Sequence, residues 1–93
     1  MKPITMFYLD SCGYCARAQN ALEDLIQNNA EYAKVDIIRI EESQQPDLAE
    51  QYDYYAVPSF FDGKKKLFEA HLFMSDKEIR EEVQNVLDYA LVN

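Results

Sequence analysis

The chain has 93 residues, 48% of them apolar, which is enough for one buried core without metal or disulfide staples. This size predicts a single domain over residues 1–93, and only two Gly and three Pro argue against a disordered or linker-rich chain. A formal net charge of −8 makes nucleic acid and anionic membrane surfaces poor partners, and no apolar run approaches the ~18 residues of a membrane span.

In chain order, Ile4 to Leu9 is a near-continuous apolar run, rich in β-branched and aromatic residues. Its length suits a strand buried on both faces. It runs straight into Asp10, Ser11 and Cys12 with no small-residue cleavage site, so it reads as a strand and not a signal peptide. The expected location is therefore the cytoplasm. From Tyr14 to Asn28 the period changes. Cys15, Ala18, Leu22, Leu25 and Ile26 lie on one face of an amphipathic helix, with Ser11 as its expected cap.

Glu31 to Ile38 reads as a second strand, with Ala33, Val35 and Ile37 alternating, and Glu41 to Gln45 as a polar connection. Pro46 opens a short helix carrying Leu48, Ala49 and Tyr52. A third strand, Ser59 to Phe61, follows Pro58. Asp62-Gly63 signals a hairpin, and Lys64 to Phe73 reads as the returning strand. Lys64, Lys65 and Lys66 read as a solvated hairpin tip, and His71 as an exposed residue of that last strand. Ser75 and Glu78 form a capping box before a closing helix whose apolar face holds Ile79, Val83, Val86, Leu87 and Ala90.

The order βαβαββα implies an α/β fold: a mixed four-stranded sheet with helices on both faces. Cys12 and Cys15 fall where the first strand meets the first helix. Two cysteines are too few for a secreted disulfide framework, so their spacing calls for a chemical explanation. Unpartnered N–H groups and the helix dipole at that position stabilise a thiolate. A CxxC placed there lowers the pKa of its first cysteine, which becomes the nucleophile. Cys12 should be exposed and attack a disulfide. Cys15, on the apolar face, should be buried and resolve the mixed disulfide.

Two other readings of the pair exist. Half a zinc site needs further ligands, and His71 is the single His, so zinc or an iron–sulfur group would have to be shared between two chains. Inert buried cysteines would not explain a cysteine on the turn. No resident metal or cofactor is expected beyond the redox-active pair.

Cys12-Gly13-Tyr14-Cys15 after a buried strand, Tyr55-Ala56-Val57-Pro58-Ser59 before the third strand, and the Asp62-Gly63 hairpin together resemble the thioredoxin/glutaredoxin superfamily over nearly the whole chain. The resemblance implies a thioredoxin fold and thiol–disulfide oxidoreductase activity. It implies a cis bond before Pro58, beside the cysteines, with Gly13, Tyr14, Val57 and Pro58 contacting substrate. It also implies disulfide-containing protein or small thiol substrates, a thioredoxin reductase-like or thiol reductant, and a monomer.

The motif mixes the Gly of thioredoxin-type CGPC with the Tyr of glutaredoxin-type CPYC. Glutathione-binding features are mostly absent. Leu9 stands where glutaredoxins carry a basic residue, and Leu72-Phe73 where they carry Gly-Gly. Ser75-Asp76 match a glutathione-binding pair, but the capping box is the preferred reading because it needs no ligand. Asp10 and Asp53, if close to Cys12, oppose a thiolate there and repel anionic glutathione. Asp36 is expected at a strand end, solvated. The alternatives are a glutathione-dependent glutaredoxin and a non-enzymatic redox-sensing or metal-binding module of the same fold.

Overall fold

Met6 and Phe7 are adjacent and both buried, as are Phe60 and Phe61. Neighbouring residues of a strand point to opposite faces, so each of these strands needs cover on both sides. The computed structural model, which describes residues 2–93, supplies it. The elements are β1 (Ile4–Tyr8), α1 (Gly13–Asn28), a 3-10 turn (Tyr32–Lys34), β2 (Ile37–Glu41), α2 (Pro46–Ala49), β3 (Ser59–Asp62), β4 (Lys65–Glu69) and α3 (Asp76–Val92).

The sheet order is β2-β1-β3-β4. β2 runs parallel to β1, β3 antiparallel to β1, and β4 antiparallel to β3. This is the expected mixed sheet. On one face α1 and α3 pack over Ile4, Met6, Phe60 and Phe68 through Ala18, Leu22, Val83 and Leu87. On the other, Phe7, Ile40 and Phe61 meet Leu48 and Ala49 of α2 together with Tyr52, Tyr54 and Val57. Among the described residues no helix is long and apolar enough to cross a membrane.

Two expectations need correction. The second strand does not begin at Glu31. Tyr32 and Val35 are both buried while Ala33 is exposed, a one-turn spacing that alternation cannot produce. Asn29 starts the turn by accepting from the Glu31 N–H at 3.0 Å, and the Tyr32 hydroxyl anchors it by donating to Asp88 at 2.6 Å. The strand starts at Ile37, so Ile40 is buried, Ile38 is 43% exposed and Glu41 belongs to the strand.

The last strand ends at Glu69 and not at Phe73, whose φ of 69° no strand accepts. His71 is exposed, as expected, but lies beyond that strand. The three lysines are exposed, as expected, but each has a partner. Lys64 lies 3.9 Å from the Tyr52 ring centre and donates to the Gln51 carbonyl, Lys65 lies over Tyr89, and Lys66 pairs with Glu69. Gly63 takes φ 56° at the turn, as the Asp-Gly signal requires.

Ser75 and Glu78 do cap α3 reciprocally, at 3.1 and 3.0 Å. For the strand register, Ile40→Ala should cost about 3 kcal/mol and Ile38→Ala under about 1 kcal/mol in urea unfolding. Equal losses would contradict the observed register.

Candidate active site

The end of β1 leads through Leu9, Asp10 and Ser11 to Cys12, and α1 begins at Gly13. The cap of α1 is Cys12 itself, not Ser11. Its Sγ accepts a hydrogen bond from the Cys15 N–H at 3.1 Å, using one of the donors a helix start leaves unpaired. Such a bond strengthens when the acceptor is charged. The same sulfur lies 3.5 Å from the Val57 carbonyl, to which the thiol donates. Cys12 is therefore half-buried under the 55–58 loop and not fully exposed as its place on the turn suggested.

Cys15 is 3% exposed, on the face of α1 that also buries Ala18 and Leu22. Burial pushes its thiol up to about 12, helped by the hydrogen bond to Cys12 and by the charges of Cys12 and Glu42. A backbone hydrogen bond from Leu9 only partly offsets these effects. The two sulfurs thus sit in different surroundings. One accepts a helix N–H at the rim, and the other is a buried thiol.

The 55–58 loop is held from below. The Val57–Pro58 bond is cis, and Pro58 is buried. Ser59 Oγ donates to the Ala56 carbonyl at 2.6 Å, and the Ala70 N–H donates to the Pro58 carbonyl at 3.0 Å. Glu69 Oε2 accepts from the N–H groups of both Tyr55 and Ala56, at 2.5 and 2.6 Å, and its other oxygen accepts from Lys66 Nζ at 2.7 Å. Burial of Glu69 pushes its carboxyl upward. The Lys66 and backbone hydrogen bonds outweigh this and hold it below the ordinary value of 4.5.

Tyr14 faces the other side of the cysteines. Its hydroxyl accepts from the Phe73 N–H at 2.7 Å, and the Arg17 guanidinium lies 5.1 Å from its ring centre. Gly13 is exposed, and a Cβ there would meet nothing within 4 Å.

Cys12, Gly13, Tyr14, Cys15, Val57 and Pro58 thus gather at one end of the sheet. Asp36 does not. It is exposed, and its carbonyl accepts from Ile4 at the opposite end of β1. Asp53 exerts its field on Lys66. The carboxylate that acts on Cys15 is Glu42, which sequence reasoning left in a polar connection. Glu42 accepts from the Tyr54 hydroxyl at 2.8 Å, and Tyr54 stacks on Phe7. Pairing of Tyr8 with Glu41 brings Glu42 to the end of β1. The tendency of α/β sites to lie beyond the carboxyl ends of strands was the signal for it.

Glu69 was also missed, because its ligands are backbone N–H groups that carry no side-chain signature. Among the described residues no group of three or more His, Cys, Asp or Glu side chains is arranged to hold a metal ion.

A thioredoxin family model matches residues 2–88. The chain belongs to the thioredoxin family. The fold is similar to that of oxidised thioredoxin from Plasmodium falciparum, with 19% identity over 94% of this chain and 79% of that one and a TM-score of 0.61. Thioredoxin 1 from Thermosipho africanus matches with 22% identity over 94% of this chain and 96% of that one, at a TM-score of 0.52. A structure described as a malarial protein matches with 13% identity over 87% and 91%, at 0.58. At these identities the likeness is one of fold.

In this thioredoxin-family protein the Glu69 clamp has a defined pH window. A carboxyl held below 4.5 in the folded state adds stability above that pH, and the stability is lost as pH falls below it. The amides of Tyr55 and Ala56 should therefore lose hydrogen-exchange protection below pH ~4.5, after correction for intrinsic rates. In Glu69→Ala they should be unprotected across the range. Full protection in that variant would show that the clamp does not hold the loop.

Proposed function

We propose that this chain is a dithiol–disulfide oxidoreductase acting as a reductant, with Cys12 attacking and Cys15 resolving. The observation that carries this reading is the unequal setting of the two sulfurs. Cys12 Sγ lies at the rim and accepts the Cys15 N–H at 3.1 Å, whereas Cys15 is 3% exposed and held as a thiol. A family relationship alone would not assign the roles.

The chemistry follows from that asymmetry. Cys12, as thiolate, attacks one sulfur of a substrate disulfide. The substrate S–S bond breaks, and the departing sulfur leaves as a thiolate that takes a proton from water. Cys15 then gives up its proton to solvent and bonds to Cys12, releasing the second substrate sulfur. Two electrons pass from the pair to the substrate, and the protein is left with an internal disulfide. The Val57 carbonyl lines the approach to Cys12, with Pro58 fully buried and holding the loop, and Gly13 and Tyr14 on the helix side. The open space at Gly13 suits a substrate backbone passing close.

A thioredoxin reductase-like enzyme or a thiol would restore the dithiol. The reading places the protein in the cytoplasm as a monomer of one domain, without a bound cofactor. Leu9 and Leu72-Phe73 favour reductase over glutathione, because neither supplies a charge or an open backbone for a tripeptide thiol.

Cys15→Ser should accumulate a mixed disulfide on Cys12 when mixed with a disulfide-bonded protein, visible as a mass adduct on non-reducing gels. Cys12→Ser should trap nothing, because the remaining thiol is buried. Equal trapping by the two variants would overturn the assignment. Oxidised protein should be reduced by thioredoxin reductase and respond weakly to glutathione. Fast turnover of a glutathione adduct would instead identify a glutaredoxin.

A further inference from the structure

Exposed apolar side chains are not scattered evenly over this molecule. Tyr55 is 94% exposed, Leu72 72% and Phe73 91%. Single exposed apolar residues need no explanation, but these three sit on the two segments that touch the Cys12–Cys15 turn. Tyr55 lies two residues before Val57, whose carbonyl touches Cys12. Leu72 and Phe73 form the turn that Tyr14 anchors from within the CxxC segment.

That turn is built and not slack. Phe73 takes φ 69°, a left-handed backbone that a bulky side chain rarely adopts. The Phe73 N–H is fixed by the Tyr14 hydroxyl at 2.7 Å, and the next carbonyl, Met74, by Arg17 Nη2 at 3.0 Å. Arg17 is itself held by Asp76 at 2.5 Å. The fold thus spends three polar contacts to hold a strained turn that displays a phenylalanine to water. A connection with no further role would place a Gly at that φ and a polar side chain at that exposure.

Charge narrows the occupant. The protein carries −8, and Asp10 and Asp53 are exposed on segments adjoining the site. A second copy of this chain would bring like charges together. An anionic tripeptide disulfide meets the same repulsion and gives Phe73 nothing apolar to cover.

We propose that the Leu72–Phe73 turn, anchored by Tyr14, is a specificity element for disulfides of basic protein segments that carry an apolar side chain beside the reacting cysteine. This rests on the oxidoreductase reading and names its substrate class. The segment lies across Cys12, with its apolar residue packed between Phe73 and Tyr55 and its basic residues over the acidic rim. The exchange is the one already written: the Cys12 sulfur takes the segment's cysteine, the segment's former partner leaves as a thiol, and Cys15 then frees the segment with two electrons transferred.

The test is single-turnover oxidation of the fully reduced protein by three probes. They are a disulfide peptide with Leu beside Cys and flanking Lys, the same peptide with Ser and Glu in those places, and uncharged bis-hydroxyethyl disulfide as reference. Wild type should react with the apolar–basic peptide about tenfold faster than with the polar–acidic one, with the gap narrowing as salt rises. A Leu72→Ser, Phe73→Ser double variant removes exposed side chains and keeps the fold, as circular dichroism will verify. It should bring the two peptides to within about twofold of each other. Tyr14→Phe, which keeps the ring and removes the anchor, should lower the same ratio.

A ratio near one in wild type overturns the proposal, as does one unchanged in the double variant. In these cases the reference disulfide still reacts and the oxidoreductase reading stands. Failure to oxidise with any probe, the reference included, overturns both.

Discussion

β1 is the constraint on which the rest depends. It is paired along both edges, to β2 in parallel and to β3 antiparallel, and it is buried on both faces. Those strand directions decide what meets at its carboxyl end. A parallel neighbour finishes there, which brings Glu41 and Glu42. An antiparallel neighbour begins there, which brings the 55–58 loop just before Ser59. β4, antiparallel to β3, finishes there too, which brings Glu69 and the turn at Leu72 and Phe73. The cysteine pair is the continuation of β1 itself. Four segments far apart in the chain therefore share one rim without any long loop reaching across.

Burial fixes where these segments start and leave the sheet, but it does not fix their tips. Phe7, Phe61 and Tyr52 lock together, with ring centres 4.7 to 5.9 Å apart, beneath the loop that carries Val57. Above that cluster the tips are held by individual polar contacts: Glu69 on two amides, Ser59 on Ala56, Tyr14 on Phe73 and Cys12 on the Cys15 N–H. A neutral hydrogen bond contributes about 1 kcal/mol net and a charged one about twice that. The rim therefore depends on individual polar contacts where the sheet depends on burial.

What could be read from the sequence follows the same division. β1, α1, the hairpin and α3 announced themselves because their periodicity is set by deep burial on known faces. The place of Cys12 and Cys15 at the start of α1 and the cis bond before Pro58 were legible because their spacing and order fix them. The stretch from Glu31 to Asp36 misled because Ala33, Val35 and Ile37 alternate by chance. The burial that matters there is Tyr32 with Val35, and it depends on Asp88 across the molecule. Glu42 and Glu69 were invisible for a related reason. Each acts through a partner more than ten residues away, Tyr54 in one case and two backbone amides in the other, and no local pattern encodes those meetings.

Charge acts at two ranges here. Most of the nine cations are engaged with structural partners: Arg17 with Asp76, Arg80 with Asp24, Lys34 with Glu31, Lys66 with Glu69, and Lys64 and Lys65 over aromatic rings. The excess of carboxylates is thus left to face solvent. Surface fields fade over a Debye length of about 8 Å at physiological salt, whereas the contact between the Cys15 N–H and Cys12 Sγ spans 3.1 Å with no room for water. The short-range contact and the burial of Cys15 therefore set the two sulfurs apart. The long-range field reaches a charged partner before contact does. In the proposed function, reactivity rests on these contacts at the cysteines and partner choice on the surface charge, so different residues carry the two.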